Sequence, residues 1–262
     1  MRGASRLVLA FATLAAGAAP LEARADWEVR RSTTREHDLA ANAERAFTER
    51  PEDVALARRL IRLVGATGRA ALRTRVCEPA RAPTAAATDL LRCATLTFEL
   101  GGADEEAAST FARAAAARPS LAAFEGEART LARLGHKDEA RARYEAALPF
   151  AHRPADERRV LEAALALVDV RAEPARALAF DQRLAALDPR DTTIAERVAD
   201  DLARLGRSSE AAALLDARLP SANDEERFAL SLRAAELYDA AGEHERAAAA
   251  LAAILARTPR AA

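Results

Sequence analysis

The chain has 262 residues, of which 39 are Lys or Arg and 40 are Asp or Glu, giving a formal net charge of −1. This balance, without a basic stripe anywhere in the sequence, argues against a nucleic-acid-binding protein. Half of the residues are hydrophobic, many of them alanine, the strongest helix former. Only 4% are aromatic, and no stretch alternates apolar and polar residues as a strand would. The sequence therefore predicts an all-α protein.

Residues 1–25 have the features of a cleavable signal peptide. Arg2 and Arg6 form a positive start, residues 7–19 are apolar, and residues 23–25 (Ala-Arg-Ala) place small side chains where signal peptidase acts. The apolar run is shorter than the about 20 residues of a transmembrane helix. An ordinary N-terminal helix or an uncleaved anchor is the alternative. We expect cleavage before Asp26 and a periplasmic or secreted protein with no membrane span afterwards.

Residues 26–51 are expected to form a charged lead-in followed by a capping helix. The first part, 26–36, is charged and aperiodic, whereas 37–49 has helical spacing and ends before Pro51. This helix resembles the second half of a hairpin whose first half is missing, which is the form of a cap on a repeat array. The remaining residues, 52–262, are predicted to be an array of helical hairpins.

The first hairpin of the array has the weakest pattern. Residues 52–64 have helical spacing, Gly65 and a second glycine break the helix, and residues 70–76 are its expected partner. A bend with two prolines follows and separates Cys77 from Cys93, the two cysteines of the chain. These cysteines can form a disulfide in an oxidising compartment and stay free in a reducing one, so both states remain open.

From residue 88 onwards the pattern becomes regular over five units. In the stretch 121–154, Phe124, Ala128 and Leu131 form one apolar stripe of a helix, and Gly135 ends that helix before a second one begins. One hairpin of this kind cannot bury its own apolar face, but a stack of hairpins can. The turn glycines are 33, 71 and 36 residues apart, the middle interval spanning two units, and are Gly102, Gly135, Gly206 and Gly242.

This pattern resembles the tetratricopeptide repeat (TPR), a 34-residue helical hairpin with small residues where its helices touch. The match covers residues 88–261 well and 52–87 poorly. Two features depart from the family pattern, because the Trp usual near the start of each unit is absent and the fourth unit lacks its closing Pro. Another α-α solenoid is the alternative. The resemblance implies an α-α superhelical solenoid of about five hairpins that works as a non-catalytic protein–protein interaction scaffold.

Motifs for catalysis or cofactor binding are missing from the sequence. His244-Glu245 begins like the zinc-binding HExxH helix, but residue 248 is Ala, so the second histidine ligand is absent. The four histidines lie in separate segments, away from both cysteines, and no GxxxxGK[ST], GxGxxG or GxSxG pattern occurs. We therefore expect neither an enzyme nor a bound cofactor or metal.

The resemblance also implies where a partner would bind, since the first helix of each TPR unit lines a concave groove that holds a peptide or helix. Twelve side chains fall at such positions, nine of them acidic, which predicts a basic or mixed-charge partner segment. A solvated polar face is the alternative interpretation. Nine of the twelve are the candidate site residues: Arg92, Glu125, Arg129, Glu162, Asp169, Glu196, Asp200, Glu236 and Asp239. The other three are Asp89, Glu99 and Arg159.

The last predicted helix, 243–257, suggests a second role. Leu251, Ile254 and Leu255 are expected to point inward. Ala249, Ala252, Ala253 and Ala256 form a flat face of small side chains, and no polar helix that would cover this face follows in the sequence. This face is expected either to tolerate water or to receive another helix. The alternative function is therefore a structural or regulatory subunit that forms homo-oligomers through its C-terminal helix.

Overall fold

A computed structural model describes residues 37–257, so the predicted signal peptide (1–25), the charged lead-in (26–36) and residues 258–262 lie outside the described part. The described part contains helices and no strand, which confirms the predicted all-α solenoid. None of its helices combines the length and hydrophobicity needed to cross a membrane. The helices α1 to α12 are 37–49, Val54–Cys77, Ala87–Leu100, Asp104–Ala117, Leu121–Arg133, Lys137–Ala147, Pro154–Leu165, Pro174–Leu187, Thr192–Arg204, Ser208–Asp216, Asp224–Ala240 and His244–Arg257.

The helices stack in chain order. Each helix from α3 to α11 packs mainly against the helices directly before and after it in the chain, and first helices of neighbouring hairpins also touch, as α3 does with α5 and α9 with α11. The buried residues form clusters that follow one another along the array instead of one central core. Such nearest-neighbour packing is the defining property of a solenoid.

A buried alanine recurs at the same place in every hairpin from α3 to α12. In each second helix the fourth residue is an alanine, and its exposure is 0% in four cases and 6% in the last. A methyl group at this point lets the two helices of a hairpin approach closely, which explains why the sequence repeats a small residue there. The five alanines are Ala107, Ala140, Ala177, Ala211 and Ala247.

Three of the four turn glycines end a first helix in a Schellman motif. At the end of α5, Gly135 has a φ of 85°, its N–H donates to the carbonyl of Ala132 (3.1 Å), and the N–H of His136 donates to the carbonyl of Leu131 (2.9 Å). Gly206 makes the same arrangement after α9. The positive φ explains the choice of glycine, because a Cβ is disfavoured in this conformation.

The first hairpin differs in detail from its prediction. Helix α2 is interrupted at Gly65, where φ is 70° and ψ is 178°, but Gly68 lies within the second helical segment and does not break it. The second segment therefore begins before residue 70. Cys77 at the end of α2 and Cys93 in α3 are joined by a disulfide, with Cα atoms 4.7 Å apart and both side chains buried.

Candidate partner-binding face

The first helices of four hairpins line a cleft of about 650 Å³. Half-buried apolar side chains, including Val54 of α2, Phe98 of α3 and Leu121 of α5, form part of its wall. Four arginines from α2, α5 and the start of α7 complete it, and we call this site the arginine cleft. The arginines are Arg58, Arg129, Arg153 and Arg159.

A glycine in α5 brings the cleft close to the core. A Cβ added at Gly126 would lie 2.3 Å from Cε1 of Phe111, so only glycine lets the buried ring of α4 pack directly against α5 at this point. Both residues line the cleft. Its floor is therefore part of the packed interior, which holds the surrounding side chains in fixed positions.

Carboxylates beneath the arginines link the first helices. Glu99 of α3 receives a hydrogen bond from Nε of Arg58 at 2.6 Å and lies 3.6 Å from Nη2 of Arg129. One carboxylate thus connects α2, α3 and α5. Such charge-assisted contacts orient guanidinium groups as well as attract them.

A second carboxylate orients two arginines at the start of α7. Asp156 accepts hydrogen bonds from Nε of Arg153 at 2.6 Å and from Nη1 of Arg159 at 2.8 Å, and Arg159 also donates to Glu125 of α5. The hydrogen bonds from Arg153, and after them those from Arg159, hold the pKa of Asp156 below its usual range. Asp156 is therefore ionised and keeps both guanidinium groups in place at neutral pH.

Among the predicted site residues, Glu125 and Arg129 line the arginine cleft, but Arg92 is placed differently. The side chain of Arg92 is only 15% exposed and donates to Asp89 of the same helix and to Thr48 of α1. It fixes the first helix to α3 and is not available to a partner. Its assignment to the groove surface was wrong, because the pattern did not show that α1 packs over this part of α3.

The acidic residues of α9 and α11 are largely paired. Asp200 and Glu236 both receive hydrogen bonds from Arg233, at 2.8 and 2.9 Å, and Asp239 lies 2.8 Å from Nδ1 of His244. Arg233 was not among the residues assigned to the groove. The predicted excess of acidic over basic side chains was therefore too large for α9 and α11. Some of the negative charge is neutralised within the protein itself.

Three further acids complete the set. Glu162 of α7 and Glu196 of α9 are exposed and form no ion pair within residues 37–257. Asp169 does not lie on a first helix, because α7 ends at Leu165. Its carboxylate instead accepts the backbone N–H of Arg171 at 3.0 Å and stabilises the glycine-free turn of this hairpin, so its placement on the groove-facing helix was wrong.

Sequence reasoning missed Arg58 and Arg153. Arg58 lies in the first hairpin, where the weak repeat pattern gave no register from which to assign groove positions. Arg153 precedes Pro154, which is the first residue of α7. Proline is common at the first position of a helix, so Pro154 was the available signal that α7 begins before residue 158. Within the described part of the chain, no cluster of His, Cys, Asp and Glu has an arrangement suited to a metal ion.

Two buried carboxylates lie between α8 and α9, away from the cleft. Asp181 accepts from Nε of Arg197 at 2.9 Å, and Oδ1 of Asp201 accepts from Nη1 of Arg204 at 2.7 Å. Oδ2 of Asp201 is buried without a hydrogen-bond partner among the described residues. Burial, and after it the negative charge of Asp181, raise the pKa of Asp201. The ionised Asp201 is therefore a destabilising element at neutral pH.

Asp201→Asn is expected to raise the free energy of unfolding at pH 7 by roughly 1 kcal/mol, because it removes one of two neighbouring buried charges. A raised pKa means that the folded protein binds this proton more tightly than the unfolded chain does. The wild type therefore gains stability as the pH falls through the raised pKa, and the advantage of the variant shrinks over the same range. Thermal denaturation between pH 7 and pH 4 measures both effects.

The control for this variant is Asp200→Asn, whose side chain is half-exposed and paired with Arg233. It is expected to change the free energy of unfolding by at most about 0.5 kcal/mol. A loss of stability in Asp201→Asn at pH 7 would contradict the argument, since the ion pair with Arg204 would then outweigh the repulsion.

The chain resembles solved structures in its fold. No protein-family model and no curated protein matches the chain. Among solved structures, it resembles a complex of Naa15 and Naa10 bound to HypK-THB, with a TM-score of 0.55, 17% identity, and coverage of 83% of this chain and 31% of the other. The chain thus spans about a third of that structure's length.

Two smaller proteins are similar over most of their length. One is YrrB, described as a TPR protein with an unusual peptide-binding site (TM-score 0.45, 18% identity, 76% of this chain and 95% of the other). The other is a TPR protein from Parabacteroides merdae (TM-score 0.40, 18% identity, 89% of this chain and 92% of the other). Identities this low speak to the fold alone. In its fold, the chain is an all-α solenoid of helical hairpins, and its sequence pattern resembles the tetratricopeptide repeat.

Proposed function

We propose that the chain is a non-catalytic protein–protein interaction scaffold that binds a segment of a partner protein along its first helices. The observation that carries this proposal is the arginine cleft, in which four first helices present apolar and charged side chains together in one concave site. A combination of apolar walls and a few fixed polar groups is the usual composition of a binding site. A merely solvated face would not require such a cleft.

The charge of the first helices supports a mixed-charge partner segment. Glu162 and Glu196 are exposed and unpaired within residues 37–257, and they provide carboxylates for basic side chains of the partner. Asp200 and Glu236, by contrast, already share Arg233. The twelve predicted groove positions contain nine acids and three bases, but some of these acids are already paired within the protein. The partner therefore needs fewer basic residues than that ratio suggests. Complementary charge of this kind mainly sets specificity and association rate.

A pull-down with charge-reversed variants tests this function. Tagged residues 26–262 are used as bait in an envelope extract, and captured proteins are quantified for wild type and for the double variant Glu196→Arg/Asp200→Arg. The matched control is Glu105→Arg/Glu139→Arg, which reverses two exposed acids on the second helices α4 and α6. The expected result is a protein that the wild type and the control retain but the α9 variant loses. Equal recovery with all three baits would favour a solvated polar face.

We further propose that the protein acts in the bacterial cell envelope, in the periplasm or secreted. The signal-peptide pattern of residues 1–25 supports this location. The disulfide of Cys77 and Cys93 agrees with an oxidising compartment. Fractionation followed by N-terminal sequencing is the test, with Asp26 as the expected first residue of the mature protein. A chain that keeps Met1 and stays in the cytosol would refute the proposal.

The second candidate function is self-association through the C-terminal helix. Leu251 of α12 is 43% exposed, in contrast to the inward orientation expected from the sequence, whereas Leu215, 36 residues earlier and at the matching position of α10, is completely buried. Phe228 of α11 is also half-exposed. Sedimentation over a range of concentrations is expected to show a dimer that Leu251→Glu abolishes. A wild type that stays monomeric at the highest concentration would eliminate this candidate.

A further inference from the structure

The arginines of the arginine cleft are more exposed than the carboxylates that they contact. The side chain of Arg58 is 57% exposed, and that of its partner Glu99 is 7% exposed. Arg153 is 80% exposed, and Asp156 beneath it is 7% exposed. The same order holds at Arg159, where the carboxylate of Glu125 is the more buried partner. At each of these pairs, a molecule that enters the cleft therefore meets the guanidinium group before it meets the carboxylate.

Among the four arginines of the cleft, Arg129 has the most free hydrogen-bonding capacity. Its shortest ion-pair distance, to Glu99, is 3.6 Å, and it makes no hydrogen bond within the described part of the chain. The group lies over the ring of Phe98, with Cζ 4.8 Å from the ring centroid. An arginine has five N–H donors, so Arg129 offers a planar set of donors that the ring holds in place.

From this arrangement we infer that the arginine cleft binds an acidic segment of a partner protein that also carries apolar side chains. The exposed guanidinium groups recognise Asp or Glu carboxylates by charge-assisted hydrogen bonds. The half-buried Val54 and Leu121 receive the apolar side chains between them, since the ring of Phe98 is covered by Arg129 and Arg133. A volume of about 650 Å³ lies within the range typical of ligand sites, roughly 300–1,000 Å³.

Recognition of the acidic segment depends on the positions of the guanidinium groups and not on the net charge of the cleft. Glu52 and Asp53 also line the cleft, so its wall contains four arginines and four acids. Asp53 is occupied as the cap of α2, where it accepts the backbone N–H of Ala55 at 3.0 Å. The cleft is therefore not expected to bind every anion. It is expected to bind a segment whose carboxylates come within hydrogen-bonding distance of the four cleft arginines.

The test uses fluorescence anisotropy with residues 26–262 and three labelled peptides of equal length. In the first peptide Glu alternates with Leu and Phe, in the second Gln replaces each Glu, and in the third Lys replaces each Glu. The Glu peptide is expected to bind at least about tenfold more tightly than the Gln peptide, as expected when charge-assisted hydrogen bonds are gained. Its binding is expected to weaken as the salt concentration rises.

Variants locate the binding. Arg129→Gln is expected to weaken the Glu peptide about tenfold, and Arg129→Lys, which keeps the charge without the planar donors, is expected to fall between. Arg183→Gln, an exposed arginine on the second helix α8, is the control and should leave binding unchanged. Circular dichroism confirms that each variant is folded.

The inference rests on the proposed function, and the three peptides separate their failures. It is overturned if the Glu peptide binds no more tightly than the Gln peptide, or if Arg129→Gln and Arg183→Gln behave alike. Binding of the Lys peptide that Glu196→Arg abolishes, without binding of the Glu peptide, would overturn the acidic segment and leave the scaffold function intact. If the Glu peptide does not bind and the pull-down captures no partner, both the acidic-segment inference and the scaffold function are overturned.

Discussion

Reduction of the disulfide is expected to lower the free energy of unfolding of the N-terminal hairpins by about 3 kcal/mol. Cys77 and Cys93 are 16 residues apart, and a cross-link over a loop of this length restricts the unfolded chain by about that amount. The bond joins α2, which is interrupted at Gly65, to the regular array that begins with α3. Urea denaturation followed by circular dichroism, with and without reductant, measures the difference.

The control separates the cross-link from packing. Cys77→Ala/Cys93→Ala removes the bond and two buried sulfur atoms, so its stability should not respond to reductant. Reduced wild type keeps those atoms and should be at least as stable as the variant. Because both cysteines are buried, the protein must be reduced in denaturant and refolded. Equal stability of oxidised and reduced wild type would show that the disulfide contributes nothing.

Tyr238→Ala is expected to lower the free energy of unfolding by about 3–5 kcal/mol, as deletion of a large aromatic side chain from a core does. Tyr238 is 1% exposed, and its ring lies under Arg246, with Cζ 4.1 Å from the ring centroid. Its hydroxyl donates to Oδ2 of Asp216 at 2.6 Å, which ties α11 to α10. Thermal and urea denaturation of the purified variant give the size of the loss.

Two further variants separate the contributions of the Tyr238 ring and hydroxyl to the loss of stability. Tyr238→Phe keeps the ring and loses the hydrogen bond to Asp216, so a loss of roughly 1–3 kcal/mol is expected. Phe228→Ala removes an aromatic ring from the same helix at a half-exposed position and should change stability by at most about 0.5 kcal/mol. A Tyr238→Ala variant as stable as Phe228→Ala would contradict the tight packing of α11 on α10.

The fold could be predicted because its signals are local and repeated. Gly135 and Gly206 mark positive-φ turns, and alanines such as Ala140 and Ala211 mark close helix contacts, so the sequence shows both within each unit. The turn at Asp169 was harder to place, because an aspartate that binds the backbone replaces the glycine there.

The candidate site could be predicted only in part, because its geometry depends on residues in different units. Glu99 is bound by Arg58, 41 residues before it, and lies near Arg129, 30 residues after it. No local pattern indicates that both arginines contact one carboxylate, or that they cover it. The predicted residues Glu125 and Arg129 line the cleft, and both lie in the unit with the clearest sequence pattern, whereas Arg92 was misplaced because α1 contacts it from outside the repeat.

The five alanines at the fourth position of the second helices also determine how the array accommodates change. Since the same small side chain lies between the two helices of each hairpin, the duplication or loss of a whole unit would leave the close contact in the remaining hairpins unchanged. A bulkier side chain at Ala177, in the middle of the series, would instead wedge one hairpin open and tilt the units on either side of it relative to one another. Small-angle X-ray scattering would register that tilt as a change in the dimensions of the particle.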